Sequence, residues 1–503
     1  MRLTLACGAV LASFAASAYG QSPTGTPLAP SPYPDARLIP RGVLRVSFEP
    51  EYITYDHLYD ENGNFVPLGA PYSSDSAGAD LFSTAATAQA SVRDLTGLAS
   101  YRLTIGALAT ERDADIRRFP FNFALGLRDN LTLTASVPIV TTRTQVSFTL
   151  DTVGANAGLN PAADDGPTIL TIVNSFEAQA DFVDAQIAAG NYGCPTSPEC
   201  DAARNTVMRT RTLVAELRAM FAADPLPAFV PLASSAEGQV INEFASGIAS
   251  ELAALGAEPS AFTLPLPTMQ VDSAGIQRVL TQASFGYEAF PFDFVKRRQR
   301  LGDLELGFRW GLVQSDALRA VLVGTARLPT GIRDDPDHFI DFGTGDRQTD
   351  VIGGLEAVWM PGDILALAVT GDYTIQFKDQ LVRRASDAPF APLATRQTVT
   401  RDLGDVLRLS AYPSLRLSDA FTAYGSVHYF RQGPETDGAS TRLETLSLGA
   451  GVHYSPHGLP DQLPIQAGID YRAAFRGEHA PKDVRLNFYL RLYYRIFGSE
   501  PER

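Results

Sequence analysis

The chain has 503 residues and a formal net charge of −15, from 41 lysines and arginines against 56 aspartates and glutamates. That acidity excludes nucleic acid, or an anionic lipid surface, as the main partner. Six histidines with no metal-ligand spacing and three cysteines leave no support for a zinc or cofactor site.

The first twenty residues read as a secretory signal: Arg2, an apolar run from Leu3 to Ala16, then small residues. Arg2 is the signal's one charge, so cleavage leaves a mature charge of about −16. Cys194 and Cys200 remain, and in an oxidising compartment they are expected to form a local disulfide. Residues 21–40 are proline-rich, predicting a stiff leader that is disordered or lies in the periplasm.

Residues 41–150 hold the first predicted strands. Leu44, Val46 and Phe48 share a face in 42–55, and 57–96 form a long polar connection. Segments 101–109 and 119–127 are read either as one strand with a polar middle or as two. Across the turn at Arg128-Asp129-Asn130 the alternation is clean, with Phe121, Phe123 and Leu125 answered by Leu131, Leu133 and Val137.

Residues 151–295 break that rhythm. Apolar residues recur at helical spacing from Ile169, from Val207 and from Val240, predicting three amphipathic helices. This insertion is either an external cap on its own core or a plug in the barrel mouth. Val279 to Phe294 reads as an extended return, and the basic run 296–300 as a solvated loop or a site for lipopolysaccharide phosphates.

Residues 296–497 carry the remaining strands, closed by 483–497, with a tail at 498–503. Val484, Leu486, Phe488, Leu490, Leu492, Tyr494 and Ile496 form one face; Arg485, Asn487, Arg491 and Arg495 lie on the other. An oily face outside and a charged face inside, in an exported chain without a helical span, predict an all-β fold. That fold is a transmembrane antiparallel β-barrel of about 12 strands (14 possible) with a helical insertion, in the outer membrane of a Gram-negative cell. Short turns alternate with long loops at 330–348, 379–403, 432–441 and 476–482, which places the long ones outside.

The same parity aims a set of charges at the lumen. Candidate lining residues are Glu305, Arg309, Arg319, Arg327, Glu356, Asp372, Arg408, His428, His453, Asp470, Arg472, Arg485, Arg491 and Arg495. Paired, they brace a closed interior; hydrated, they line a pore with mild anion preference. No catalytic or metal residue is assigned. His428 and His453, with Ser426 and Ser447 nearby, leave a lipid hydrolase as the least favoured alternative. The acidic loop Asp334 to Asp346 lacks a calcium signature and reads as a solvated external loop.

Several phrases carry a resemblance. They are Leu125-Gly126-Leu127-Arg128-Asp129-Asn130-Leu131-Thr132-Leu133 with its continuation to Pro138, Arg300-Leu301-Gly302-Asp303-Leu304-Glu305-Leu306-Gly307, Arg327-Leu328-Pro329-Thr330-Gly331, and Gly343-Thr344-Gly345 leading to Asp350. In that order they resemble the outer-membrane transporter family of the phenol meta-cleavage pathway (the MetA-pathway phenol degradation family). The resemblance implies a barrel for passive uptake of small, often aromatic or apolar, solutes. The alternative is a non-transporting barrel that displays a helical domain for partner or surface recognition. Expected partners are outer-membrane lipid and lipopolysaccharide, the barrel assembly machinery and a small-molecule solute.

Overall fold

The computed structural model describes residues 33–258, 264–292, 295–435, 442–456 and 465–497. The signal, the start of the leader, the turn at 457–462 and the tail lie outside the described residues.

Twelve strands form one closed antiparallel ladder. They are β1 (Val43–Phe48 and Glu51–Tyr55), β2 (Ala107–Arg128), β3 (Leu131–Asp151), β4 (Val295–Leu301 and Leu304–Gln314), β5 (Leu318–Leu328), β6 (Asp350–Trp359), β7 (Leu365–Gln376), β8 (Val406–Arg416), β9 (Phe421–Gln432), β10 (Leu443–Tyr454), β11 (Ile465–Glu478) and β12 (Val484–Arg495). Each pairs with its neighbours in chain order, and β12 returns to β1 through Val43–Phe48 opposite Leu490–Arg495. Every backbone edge is thereby paired, the condition for a sheet to stand in lipid.

The side chains follow the pleat. Leu306, Trp310, Leu322, Leu355, Trp359, Val369, Tyr373, Leu448, Phe488 and Tyr494 point outward and are exposed, while their sequence neighbours point in. On β2 the outward residues are Glu111, Asp113, Asp115 and Arg117, then Phe119, Phe121, Phe123, Leu125 and Leu127. The switch at Phe119 marks the outer edge of the hydrocarbon. From there to Leu127 is about 26 Å along the strand and about 20 Å along the axis of a tilted barrel, close to the apolar band of such barrels. The ambiguous segments are therefore one strand of 22 residues that climbs out of the membrane.

Prolines and a strand break fall at one height on four adjacent strands. Pro50 interrupts β1, Pro120 faces Pro138 across β2 and β3, and β4 breaks at Gly302, whose N–H donates to the Pro138 carbonyl. Proline cannot donate to the ladder, so the wall bends here, just where it leaves the lipid.

Above the bend sits a helical cap: α1 (Ala85–Thr96), α2 (Ala162–Ala188), α3 (Pro198–Phe221), α4 (Ala236–Ala254) and α5 (Ser273–Thr281). Ser197, Ser235 and Asp272 cap α3, α4 and α5 by accepting backbone N–H bonds. One core unites Phe82, Val92, Phe176, Leu217, Phe221, Ile248, Val279 and Phe285. The helices at 162–254 fit the sequence reading; α1 falls in a segment read as connection, and α5 runs over into the first three residues, 279–281, of the segment read as an extended return. The Cys194–Cys200 disulfide closes the turn between α2 and α3. Phe390, from the loop between β7 and β8, stacks on Phe82 of the cap at 4.9 Å. The cap therefore lies across the mouth. Among the described residues no helix is long and apolar enough to cross a membrane.

Candidate functional site: a lumen closed at both ends

The lumen begins as a consequence of strand parity. Inward side chains of twelve strands must share a narrow, water-poor interior, so their charges either pair or are expelled. They pair. Arg309 holds Glu356 at 2.6 Å, Arg408 holds Asp372 at 2.7 Å, and Arg491 donates to Glu49 at 3.3 Å. Arg327 bridges Asp346 at 2.7 Å and Asp350. Glu51 is shared by three arginines: Arg118 and Arg485 at 3.2 Å each and Arg472 at 3.7 Å. Asp470 accepts from Asn487 at 2.7 Å.

Between these braces lies a chamber of about 220 Å³. It brings together eight of the expected residues: Glu305, Arg309, Glu356, Asp372, Arg408, His428, Asp470 and Arg472. Arg327 and Arg485 sit in the paired layers around it, and Arg491 beside the N-terminal segment. Arg319 and His453 line a second cavity of about 340 Å³ at the periplasmic end. Arg495 is exposed at the periplasmic end of β12 rather than lumenal, because the barrel wall ends there. The expected anion preference does not follow from the arginine count. The chamber's own lining has four arginines (Arg45, Arg309, Arg408 and Arg472) against six carboxylates that include Glu49, Glu51 and Glu305.

Glu49, Glu51, Arg45 and Arg118 were missed in the sequence, although parity with Phe48 and Phe119 puts them inside. The histidines act as structural partners. His428 Nδ1 lies 3.0 Å from Ser410 Oγ, and His453 Nδ1 bonds to the Tyr489 hydroxyl.

The periplasmic end is closed by the chain's own N-terminal segment. The leader was expected to be disordered or periplasmic; instead residues 33–41 cross the inside of the barrel. Tyr33 lies 4.8 Å from His453 and 5.0 Å from Tyr424, ring to ring. Ala36 is buried among Val321, Val358, Ala368 and Tyr412. The Ile39 N–H donates to Thr132 Oγ1 at 3.0 Å. The segment passes so close to Gly126 that a Cβ there would meet the carbonyl oxygens of Pro40 and Ile39 at 2.1 and 2.3 Å. Apolar and aromatic residues unable to face water in a short leader find cover in this mouth.

The outer end is closed by the loop between β5 and β6. Read as solvated, it is folded inward, with Phe342, Thr344 and Gln348 almost fully buried. Its carboxylates are taken up by arginines: Asp341 by Arg298 at 2.9 Å, and Asp337 by Arg384 at 2.8 Å and Arg396 at 3.0 Å. Asp303 is the latch. Its carboxylate accepts the N–H groups of Gly331 at 2.7 Å and Asp346 at 3.2 Å. Gly345 rests directly on it, where a Cβ would come within 2.3 Å of a carboxylate oxygen. Thr344 completes the latch by donating to the Leu301 carbonyl at 2.9 Å.

An apolar exterior, a paired polar interior and no free edge leave one assignment of place. The chain is an outer-membrane β-barrel. No family model matches the sequence, and no curated protein matches it. Solved structures do resemble the fold. An outer-membrane channel from Pseudomonas putida F1 is 11% identical over 93% of this chain and 100% of that one, with a TM-score of 0.44. The toluene transporter TbuX from Ralstonia pickettii is 9% identical over 91% and 90%, with a TM-score of 0.32. The toluene transporter TodX from Pseudomonas putida is 10% identical over 91% and 90%, with a TM-score of 0.30. Likeness at this level decides nothing about cargo, and the barrel rests on its own ladder.

Proposed function

We propose that the barrel passes small solutes passively across the outer membrane, through a lumen whose two closures open. The observation that carries this reading is the character of the closures. Neither is made by the wall: one is a nine-residue stretch ahead of β1, the other a loop held by side-chain contacts, the Asp303 carboxylate and the arginines that pair with Asp337, Asp341 and Asp346. Both can move without breaking the ladder. A chamber of about 220 Å³ holds one single-ring solute, since a cavity of about 150 Å³ accepts benzene. Its charged lining favours a ring with polar substituents over a bare hydrocarbon, because an apolar guest would displace water from charged groups without replacing its hydrogen bonds. The phenol-pathway resemblance supports the same class.

The occluded lumen also favours a second reading, a barrel that transports nothing and displays the cap for recognition. Planar-bilayer recording separates the two. The full chain, a chain lacking residues 22–39, and that deletion combined with Asp303→Ala are compared. Brief openings in the first, lengthened in the second and sustained in the third, support transport. Silence in the third overturns it.

A further inference from the structure

The outward face of β2, β3 and β4 just above the bend carries a cationic strip in an acidic chain. Arg117 is the first outward residue of β2 above Phe119 and is exposed. One pleat repeat further out, Arg143 of β3 lies directly opposite Arg297 of β4. Arg297 is exposed, and the Arg143 side chain is about one-third exposed. Two like charges directly opposite across strands destabilise a sheet unless an anion lies against them. Asp115, on the other side of Arg143, engages it at 2.8 Å; Asp113 and Glu111 point outward only further up β2.

Height identifies what such an anion would be. Two residues rise about 5 Å along the axis of a tilted barrel. Arg117 therefore stands about 5 Å above the hydrocarbon edge and the Arg143–Arg297 pair about 10 Å, inside or at the top of the headgroup layer. The opposite arc differs. There Arg442 is engaged by Glu444 at 3.4 Å and Glu478 at 2.9 Å, and Arg431 lies opposite Glu444 in register. That rim is internally neutralised.

We propose that Arg117, Arg143 and Arg297 bind the phosphates of the outer-leaflet glycolipid on this one arc of the barrel. Guanidinium groups on a wall that meets the acyl chains below and the phosphates above would hold one such lipid in place, the acyl chains lying on Phe119, Ile139 and Leu301. The bend at Pro138 sets the strip at that height.

The test is native mass spectrometry of the full-length protein in detergent, titrated with diphosphorylated lipid A. Heat-modifiable gel mobility confirms that each variant is folded. One tightly held lipid A is expected on the parent. Arg117→Gln with Arg297→Gln should weaken it by roughly thirtyfold, Arg297→Lys should retain most of it, and Arg431→Gln should leave it unchanged. Equal binding by the double variant, equal loss with Arg431→Gln, or inorganic pyrophosphate competing as well as the lipid would each overturn the proposal.

Discussion

Glu51→Gln is the sharpest probe of the lumen's energetics. The Glu51 carboxylate is buried and lies within 3.7 Å of Arg118, Arg472 and Arg485. Glutamine keeps the shape and removes the charge, so three guanidinium groups lose their common counter-ion. Removing one partner of a buried ion pair costs about 3–5 kcal/mol, or between two and four orders of magnitude in the folding equilibrium. The assay is urea-dependent folding into phosphatidylcholine vesicles, read by tryptophan emission. Trp310 and Trp359 both lie on the lipid face, so their emission reports insertion and nothing in the lumen. Adding Arg118→Met should recover part of the loss, because an apolar replacement of a buried pair is often neutral. If Glu51→Gln unfolds within about 1 kcal/mol of the parent, the cost is that of a solvated pair. The lumen would then be wet enough to screen its charges, and the bracing argument would fail.

Asp303→Ala should release the loop between β5 and β6, seen as new protease cleavage between residues 333 and 343 in the folded, membrane-inserted protein. Leu355→Arg, outward on β6, should cost about 2–4 kcal/mol by the same urea titration, whereas Ser→Ala at the lumenal Ser410 should cost under about 1.5 kcal/mol. In the cap, Arg218 and Arg278 hydrogen-bond Glu177 and Asp164 and hold their carboxyls below the ordinary range. Their stabilisation is complete above about pH 5. It declines as the pH falls through the lowered values, so acid should loosen the contacts of α2 with α3 and with α5 first, read by hydrogen exchange. Deleting residues 160–290 alone should yield aggregating protein, because Phe82, Ala88 and Val92 would lose their cover; deleting 75–100 as well should restore solubility in detergent.

The wall was legible because its physics is local. Period-two alternation at Phe121 to Leu127 or Leu365 to Ile375 survives in any context that has oil on one side and water on the other. Ten inward polar residues named from parity alone, eight of them charged, line the two cavities. The closures were not legible, because they depend on contacts far apart in sequence. Ala36 is covered by Val321, Val358 and Ala368, and nothing within the leader announces that cover. The acidic loop misled for a related reason: its arginines, at 298, 327, 384 and 396, lie on three other segments, β4, β5 and the loop between β7 and β8. The phrases behind the family resemblance become intelligible here. Gly126 and Thr132 seat the N-terminal segment, while Asp303, Gly331, Thr344 and Gly345 build the latch. They specify how the lumen is shut.

A stopper joined to its own bottle follows different arithmetic from a free one. Residues 33–41 run without a break into β1 at Val43, so the segment remains beside its seat even when displaced. Short covalent tethers correspond to effective concentrations of about millimolar. A detached peptide of residues 22–41 would therefore need about millimolar concentration to close a truncated barrel as well as the native segment does. Each opening of the full chain should accordingly be brief and independent of protein concentration, ended by a reclosure that no diffusing inhibitor could outpace.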